Sequence, residues 1–307
     1  MLQNELKKLN KYKLLTWLSS IVFIILCSAV FIRILMIIDE RTSVKLIIIC
    51  YLAAFLVPIF VFKLFWAKTE EIVVPYVLSK FPNWKLIISR KDKINASKQC
   101  PANIMPFKKI LDSMVIPSTY RGTMYITDAF QNEDGKQQII QINYENEGSR
   151  KPPFNATLIV AETEKTVKSI TGFKNNCYPH GTPDKIMREK SNSDLPKIEL
   201  PSAEEAKLDV YGNNEDICKK LATQELFSTI HSLQEQLKLP YIKTIFYKKY
   251  VIFILRHKRK DWQTYETFFI KLPVFTGVKP QLMEEGVANF SLLTDLANKA
   301  QEFTKNI

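Results

Sequence analysis

The chain has 307 residues, a formal charge of +12 and only three histidines. Half of that excess, +6, lies in the first 69 residues, and the rest is spread over a segment dense in both signs. This excludes the concentrated basic stripe of a nucleic-acid binder and leaves a mixed surface attracted to anionic lipid.

The N-terminal tail sets Lys7, Lys8, Lys11 and Lys13 against Glu5. Leu2, Leu6 and Leu9 recur at helical spacing with the lysines off that stripe. The tail therefore reads either as a short interfacial helix on acidic lipid or as a frayed end supplying topology charge. Leu14–Ile32 then runs nineteen residues without a charge, about 28 Å of helix, close to the hydrocarbon thickness of a bilayer. Its apolar character continues through Ile38, interrupted only by Arg33, and the span itself is placed at about 14–35. Leu46–Phe62 is a second run, containing Pro58 and flanked by Lys45 and Lys63, with Phe65 and Trp66 extending it to about residue 65. Buried core helices would need polar faces, which these runs lack. The first run is longer than the apolar region of a signal peptide and a second run follows it, so it reads as an uncleaved anchor.

Arg33, Arg41 and Lys45 lie between the spans, whereas Lys63, Lys68, Lys80, Lys85, Arg90, Lys91 and Lys93 follow them. The positive-inside bias places both termini in the cytoplasm, with Trp17 and Trp66 near that interface. The expected organisation is a basic tail (1–13), a transmembrane hairpin (14–66), a juxtamembrane helix and irregular connection (67–116) and a soluble domain (117–307). The five cysteines are Cys27 and Cys50 in the spans and Cys100, Cys177 and Cys218 beyond them. Three scattered thiols without a Cys-x-x-Cys suit a reducing compartment.

After the spans, Lys63–Phe81 reads as a helix bent at Pro75, and Asn103–Leu111 as a short helix. Gly122–Phe130 and Gln137–Tyr144 are β-branched and aromatic runs around Asn132-Glu133-Asp134-Gly135, a hairpin signal. Ala156–Ala161 and Thr166–Ile170 read as further strands. Residues 175–206 are polar and carry four prolines, the pattern of a loop. Lys207–Tyr211 reads as a strand. Asn213 or Asn214 caps a helix reaching Lys238, with Leu226, Ile230, Leu233 and Leu237 on its apolar face. Ile242–Tyr247 and Tyr250–Arg256 read as two strands joined at Lys248-Lys249, and Thr267–Leu272 as a third. A helix over Asn289–Phe303 closes the chain, with Leu292, Leu296, Ala300 and Phe303 on one face. Strands and helices are segregated, so the expected class is α+β with an antiparallel sheet and packed helices behind a two-helix membrane hairpin.

Two N-terminal spans, Ser118-Thr119-Tyr120-Arg121-Gly122 entering a strand pair, and Val210-Tyr211-Gly212-Asn213-Asn214 opening a helix form a familiar order of parts. This arrangement is similar to the bacterial membrane-protein family called domain of unknown function 3137. In that family acidic residues more often stand where this chain has Asn213 and Asn214, and residues 175–206 look like a local elaboration. The resemblance implies a multi-pass protein of a bacterial inner membrane; it carries over no activity or catalytic residue.

The chemistry is sparse. The closest glycines among the eight are nine residues apart, which excludes the dinucleotide fingerprint, the P-loop and Gly-x-Ser-x-Gly, and no cofactor motif is present. Cys177, His180 and Asp184 offer thiolate, imidazole and carboxylate on one proline-rich stretch, the weak candidates for a zinc site or an activated nucleophile. His231 reads as boundary packing or a solvent-exposed side chain, and Glu204-Glu205 and Glu284-Glu285 as solvated faces. Arg256, Lys258, Arg259 and Lys260, beside Trp262 and Tyr265, are candidates for contact with anionic lipid or a partner, as are Lys7, Lys8 and Lys11. A solvated loop between strands accounts for the same residues. The reading is a non-enzymatic module tethered to the bilayer that binds another membrane-associated protein or ligand, without nucleic acid. A membrane-bound hydrolase and an anionic-lipid sensor are the alternatives.

Overall fold

The computed structural model describes residues 2–37, 71–89, 92, 94–95, 122–146, 154–175, 195–237, 239, 241–256, 264–266, 271–273, 279–305 and 307. The chain divides into two compact units, Met1–Phe81 with Trp262–Asn289, and Pro82–Asp261 with Phe290–Ile307.

In the first unit, α1 runs unbroken over Leu2–Ile37. The tail and the first apolar run are therefore one helix, because nothing between Lys13 and Leu14 breaks it: no proline or glycine occurs in the first 57 residues. Residues 71–78 form α2, with Val73, Val74 and Val77 buried. Pro75 lies within that helix, and Ser79 N donates to the Pro75 carbonyl at 2.9 Å. β9 (Thr264–Glu266) and β10 (Lys271–Pro273) pair antiparallel. Of the strand expected at 267–272, residues 271–272 belong to β10; residues 267–270 lie outside the described part. So do the second apolar run and the expected helix at 103–111.

The second unit is built on an antiparallel sheet. Its strands are β1 (Trp84–Ile88), β2 (Ile94–Asn95), β3 (Gly122–Asn132), β4 (Gln137–Asn146), β5 (Phe154–Asn175), β6 (Lys197–Ile198), β7 (Leu208–Gly212) and β8 (Tyr241–Arg256). The order is β1-β3-β4-β5-β7-β6, with β2 on β3 and β8 on the other side of β5. The expected hairpin is β3–β4. Gly135 takes φ +74 at its turn and Asn132 Oδ1 accepts from Gln137 N at 2.9 Å, so the loop satisfies its own backbone.

The expected pairs of short strands are instead two long strands, β5 and β8. They kink together: the register jumps from Glu162↔Tyr250 to Val167↔Lys248, with Lys248 at φ +52. This bulge, pinned by a Lys249–Glu162 ion pair at 2.7 Å, bends both strands without reversing either. Lys248-Lys249 is therefore a bulge rather than a turn.

Residues 195–206, expected as loop, contain β6 and a short helix, α3 (Pro201–Glu205), which starts at Pro201, where a missing N–H costs nothing. The single helix expected from Asn214 to Lys238 is two, α4 (Glu215–Leu221) and α5 (Gln224–Leu237). Thr223 Oγ1 accepts from Leu226 N at 3.2 Å, so the threonine caps a new helix instead of continuing the old one. α6 spans Pro280–Glu302, starting nine residues earlier than expected. Its buried face is Phe290, Leu293, Ala297 and Ala300, with Leu296 and Phe303 beside it and Leu292 at the margin.

The sheet's two faces differ. On one, Ile88, Met124, Ile126, Ile140, Ile142, Leu158, Val160, Ile245, Ile252 and Ile254 form a continuous buried aliphatic layer. The other carries helices. Phe290 packs edge-on against Phe130 and Trp84, with ring centroids at 5.4 and 5.8 Å, and Phe303 meets Phe253 at 6.1 Å. Phe227 of α5 meets Phe173 at 6.2 Å. Aromatic pairs at such spacings add about 0.5–1.5 kcal/mol each beyond their burial. Antiparallel strands and segregated helices make the unit α+β, as the sequence predicts.

Candidate functional site

Two surfaces stand apart from ordinary packing. The first is α1. Its residues Leu6–Ala29 form a helix long and apolar enough to cross a membrane, about 36 Å at helical rise. Leu6, Leu9, Lys13 and Ser20 lie on its buried side, while Leu14, Leu15, Leu18, Ile21, Val22, Ile25 and Leu26 are exposed, Leu14 and Ile25 by 60%. A helix in water buries aliphatic side chains of the kind exposed here. Ser28 Oγ donates to the Ile24 carbonyl at 2.8 Å, so its hydroxyl is satisfied within the helix itself.

Of the predicted contact residues, Lys7, Lys8 and Lys11 are exposed on the first turns of α1, and Trp17 is half-buried further along. Arg256 is half-buried at the end of β8. Lys258, Arg259, Lys260 and Trp66 lie outside the described residues, as do Cys177, His180 and Asp184. Among the described residues no group of three or more His, Cys, Asp or Glu is placed to hold a metal. His231 is at a packing boundary, where its Nε2 donates to the Ala206 carbonyl at 2.9 Å and satisfies the end of α3. Glu204, Glu205, Glu284 and Glu285 are exposed.

The Val210–Asn214 stretch proves to be a joint. Asn214 is the cap of α4, its Oδ1 accepting from Ile217 N at 3.1 Å. Gly212 lets α4 approach the sheet: a Cβ there would stand 2.5 Å from Cys218 Sγ and 3.2 Å from the Ile170 carbonyl. Cys218 is buried, within 3.5 Å of Thr171 Oγ1, and burial pushes its thiol up, which makes it a packing residue rather than a nucleophile.

The second surface is a row of charges across β7, β5 and β8 that sequence patterning does not reveal. Asp209 pairs in register with Lys174, and Lys174 with Lys243, so the three side chains stand side by side on one face. That face is the aliphatic one, which Ile245 joins two residues along β8 from Lys243. Lys197 of β6 binds Asp209 Oδ1 at 2.8 Å. Lys243 is only 6% exposed, its Cε 3.8 Å from where a Cβ on Gly172 would sit. Burial, and then the neighbouring Lys174 charge, lower its amine from 10.5 to about 8. Lys174 is lowered by burial and partly restored by Asp209. Lys197, exposed, is raised by its hydrogen bond to Asp209. Tyr211, on the same face, is raised by burial and then by Asp209. The sequence signal was a lysine between apolar neighbours in Ile242-Lys243-Thr244-Ile245, but only register brings it to Lys174.

No family model matches the chain, and no curated protein matches it. Among solved structures, the crystal structure of the mycobacterial trehalose monomycolate transport factor A, TtfA, aligns over 72% of this chain and 90% of that one, with 9% identity and a TM-score of 0.33. A likeness that slight carries no functional argument.

Proposed function

We propose that this is an integral membrane protein whose sheet unit is held at the cytoplasmic face of a bacterial inner membrane, in the manner of the domain of unknown function 3137 family. There it acts as a non-enzymatic module that binds a membrane-associated protein or ligand. The observation that carries the reading is the surface of α1, where large aliphatic side chains from Leu14 onward point outward although Leu6, Leu9, Lys13 and Ser20 are buried. The second apolar run returns the chain to the side of its basic tail. Tethering raises the module's effective concentration toward anything else held at that surface, which confers function without chemistry.

Alkaline carbonate washing of membranes, with reporter fusions at both ends of the chain, tests the placement. The protein stays in the pellet and both reporters respond as cytoplasmic; release into the wash, or a carboxyl-terminal reporter on the far side, refutes it. Alanine at Cys177, His180 and Asp184 tests the absence of catalysis. All three changes leave the phenotype of the intact gene unaltered, whereas loss at any of them would favour a membrane-bound hydrolase.

A further inference from the structure

We propose that the bulge shared by β5 and β8 is a docking surface for an anionic bilayer, formed by Lys168 and Lys248 with Tyr247 and Tyr250 beside them. Glu164, Lys165, Thr166, Lys168, Lys248 and Lys249 are all exposed there. Lys249 is engaged by Glu162 at 2.7 Å, and Lys165 donates to the Lys305 and Ile307 carbonyls. Among the described residues Lys168 and Lys248 have no ion-pair partner, so these two are available to an outside anion. The ammonium groups are set beside aromatic rings. Lys248 Nζ lies 5.3 Å from the centroid of the Tyr247 ring and Lys249 Nζ 5.7 Å from that of Tyr250, and both tyrosines pack half-buried against the aliphatic layer. Tyrosine and lysine in this combination settle at the headgroup level of a bilayer, where ring and stem are in apolar surroundings and the polar ends are wet. Lys248 also holds φ +52, a conformation that bulges ordinarily give to glycine because a Cβ is strained in it. A lysine kept there against its own backbone preference points to a use for its side chain.

The position of the bulge within the sheet unit agrees. The chain enters that unit at Pro82, just before Trp84, and re-enters at Phe290, whose ring lies 5.8 Å from that of Trp84. Trp84 pairs with Asn132 at the β3–β4 turn, and across that turn the Lys136 carbonyl accepts from Glu162 N at 2.8 Å. The segment that follows the apolar runs therefore joins the sheet at the end that carries the bulge. The turn itself bears Glu133, Asp134 and Lys136, which confines the attraction for anions to the bulge. The inference rests on the membrane placement proposed above, because it is the tether that keeps a bilayer, rather than an acidic protein, within constant reach.

The full chain is reconstituted in nanodiscs of phosphatidylcholine, with or without phosphatidylglycerol, and amide hydrogen exchange is followed over residues 163–168 and 247–250. Exchange there is at least about fivefold slower in the anionic discs, and the difference vanishes in 1 M salt. Lys168→Glu and Lys248→Gly each weaken docking by about fivefold, the worth of one basic residue at an anionic surface. Glycine suits φ +52 better than lysine does, and Lys168 is exposed, so both variants fold; unchanged exchange over β3 and β4 verifies this. Equal exchange in the two lipids, or protection unaltered in both variants, overturns the proposal and leaves the bulge to an acidic protein or to solvent. Those results leave the membrane placement standing, because the chain is still recovered in the discs. Failure to enter discs of either lipid refutes the placement and the docking with it.

Discussion

Replacing Gly212 by alanine sets a methyl group 2.5 Å from Cys218 Sγ, 3.2 Å from the Ile170 carbonyl and 3.5 Å from Thr171 Oγ1. Non-bonded heavy atoms settle at about 3.5–4.0 Å, so the sulfur must retreat by roughly 1 Å. It is fully buried between α4 and the sheet, and retreat means losing its contact with Thr171 and moving α4 or leaving its rotamer. Overpacking of this kind costs about 1–3 kcal/mol, less about 0.4–1 kcal/mol that alanine returns by restricting the unfolded chain. The net, about 1.3 kcal/mol at the middle of these ranges, lowers the thermal midpoint by about 3–5 °C for a unit of this size. Cys218→Ala removes the clashing atom, so the two substitutions are strongly coupled: the double variant is less destabilised than the sum of the singles by about 1 kcal/mol. Thermal unfolding of the detergent-solubilised full chain, followed by circular dichroism, reads all four proteins. Additivity within about 0.5 kcal/mol, or a Gly212→Ala midpoint equal to wild type, would refute the argument that glycine is there to admit the sulfur.

Three further outcomes follow from the same structure. Asn214→Ala removes the cap of α4 and costs about 1 kcal/mol, whereas Asn213→Ala, one residue outside the cap, stays within about 0.5 kcal/mol; denaturant midpoints of the two compared with wild type decide it. Thr244→Val replaces a fully buried hydroxyl that has no hydrogen-bond partner among the described residues with an isosteric methyl and raises stability by about 1 kcal/mol; a loss on the same measurement would mean that the hydroxyl has a use in the folded state. Lys243 releases its proton near pH 8 when folded and near 10.5 when unfolded, so between those values the unfolded chain binds more protons and stability rises with pH. Below pH 8 the full cost of the buried charge, about 3 kcal/mol, is present, and it is relieved as pH climbs to 10.5. Relative to Lys243→Met, with Lys174, Lys197, Asp209 and Tyr211 common to both proteins, wild type therefore gains across that window. A difference that does not change with pH would mean that the amine stays solvated.

The sequence by itself determined what depends on near neighbours: the apolar run that becomes α1, the β3–β4 hairpin from its Asp-Gly turn, the cap at Asn214, and the segregation that makes the sheet unit α+β. Each is fixed by side-chain period or by a hydrogen bond spanning three to five residues. Tertiary structure decided whatever needs a partner far along the chain. Lys248-Lys249 has the local look of a turn, yet residues of β5 some eighty positions earlier hold it as a bulge. Thr223 ends one helix and starts another because its hydroxyl serves as a cap there, a choice that composition leaves open. The lysine row is the clearest case. Lys174 and Lys243 lie 69 residues apart, and only the pairing of β5 with β8 sets these two surface-type residues side by side on one face. Strand register is a long-range quantity, and electrostatics between strands is invisible until register is set.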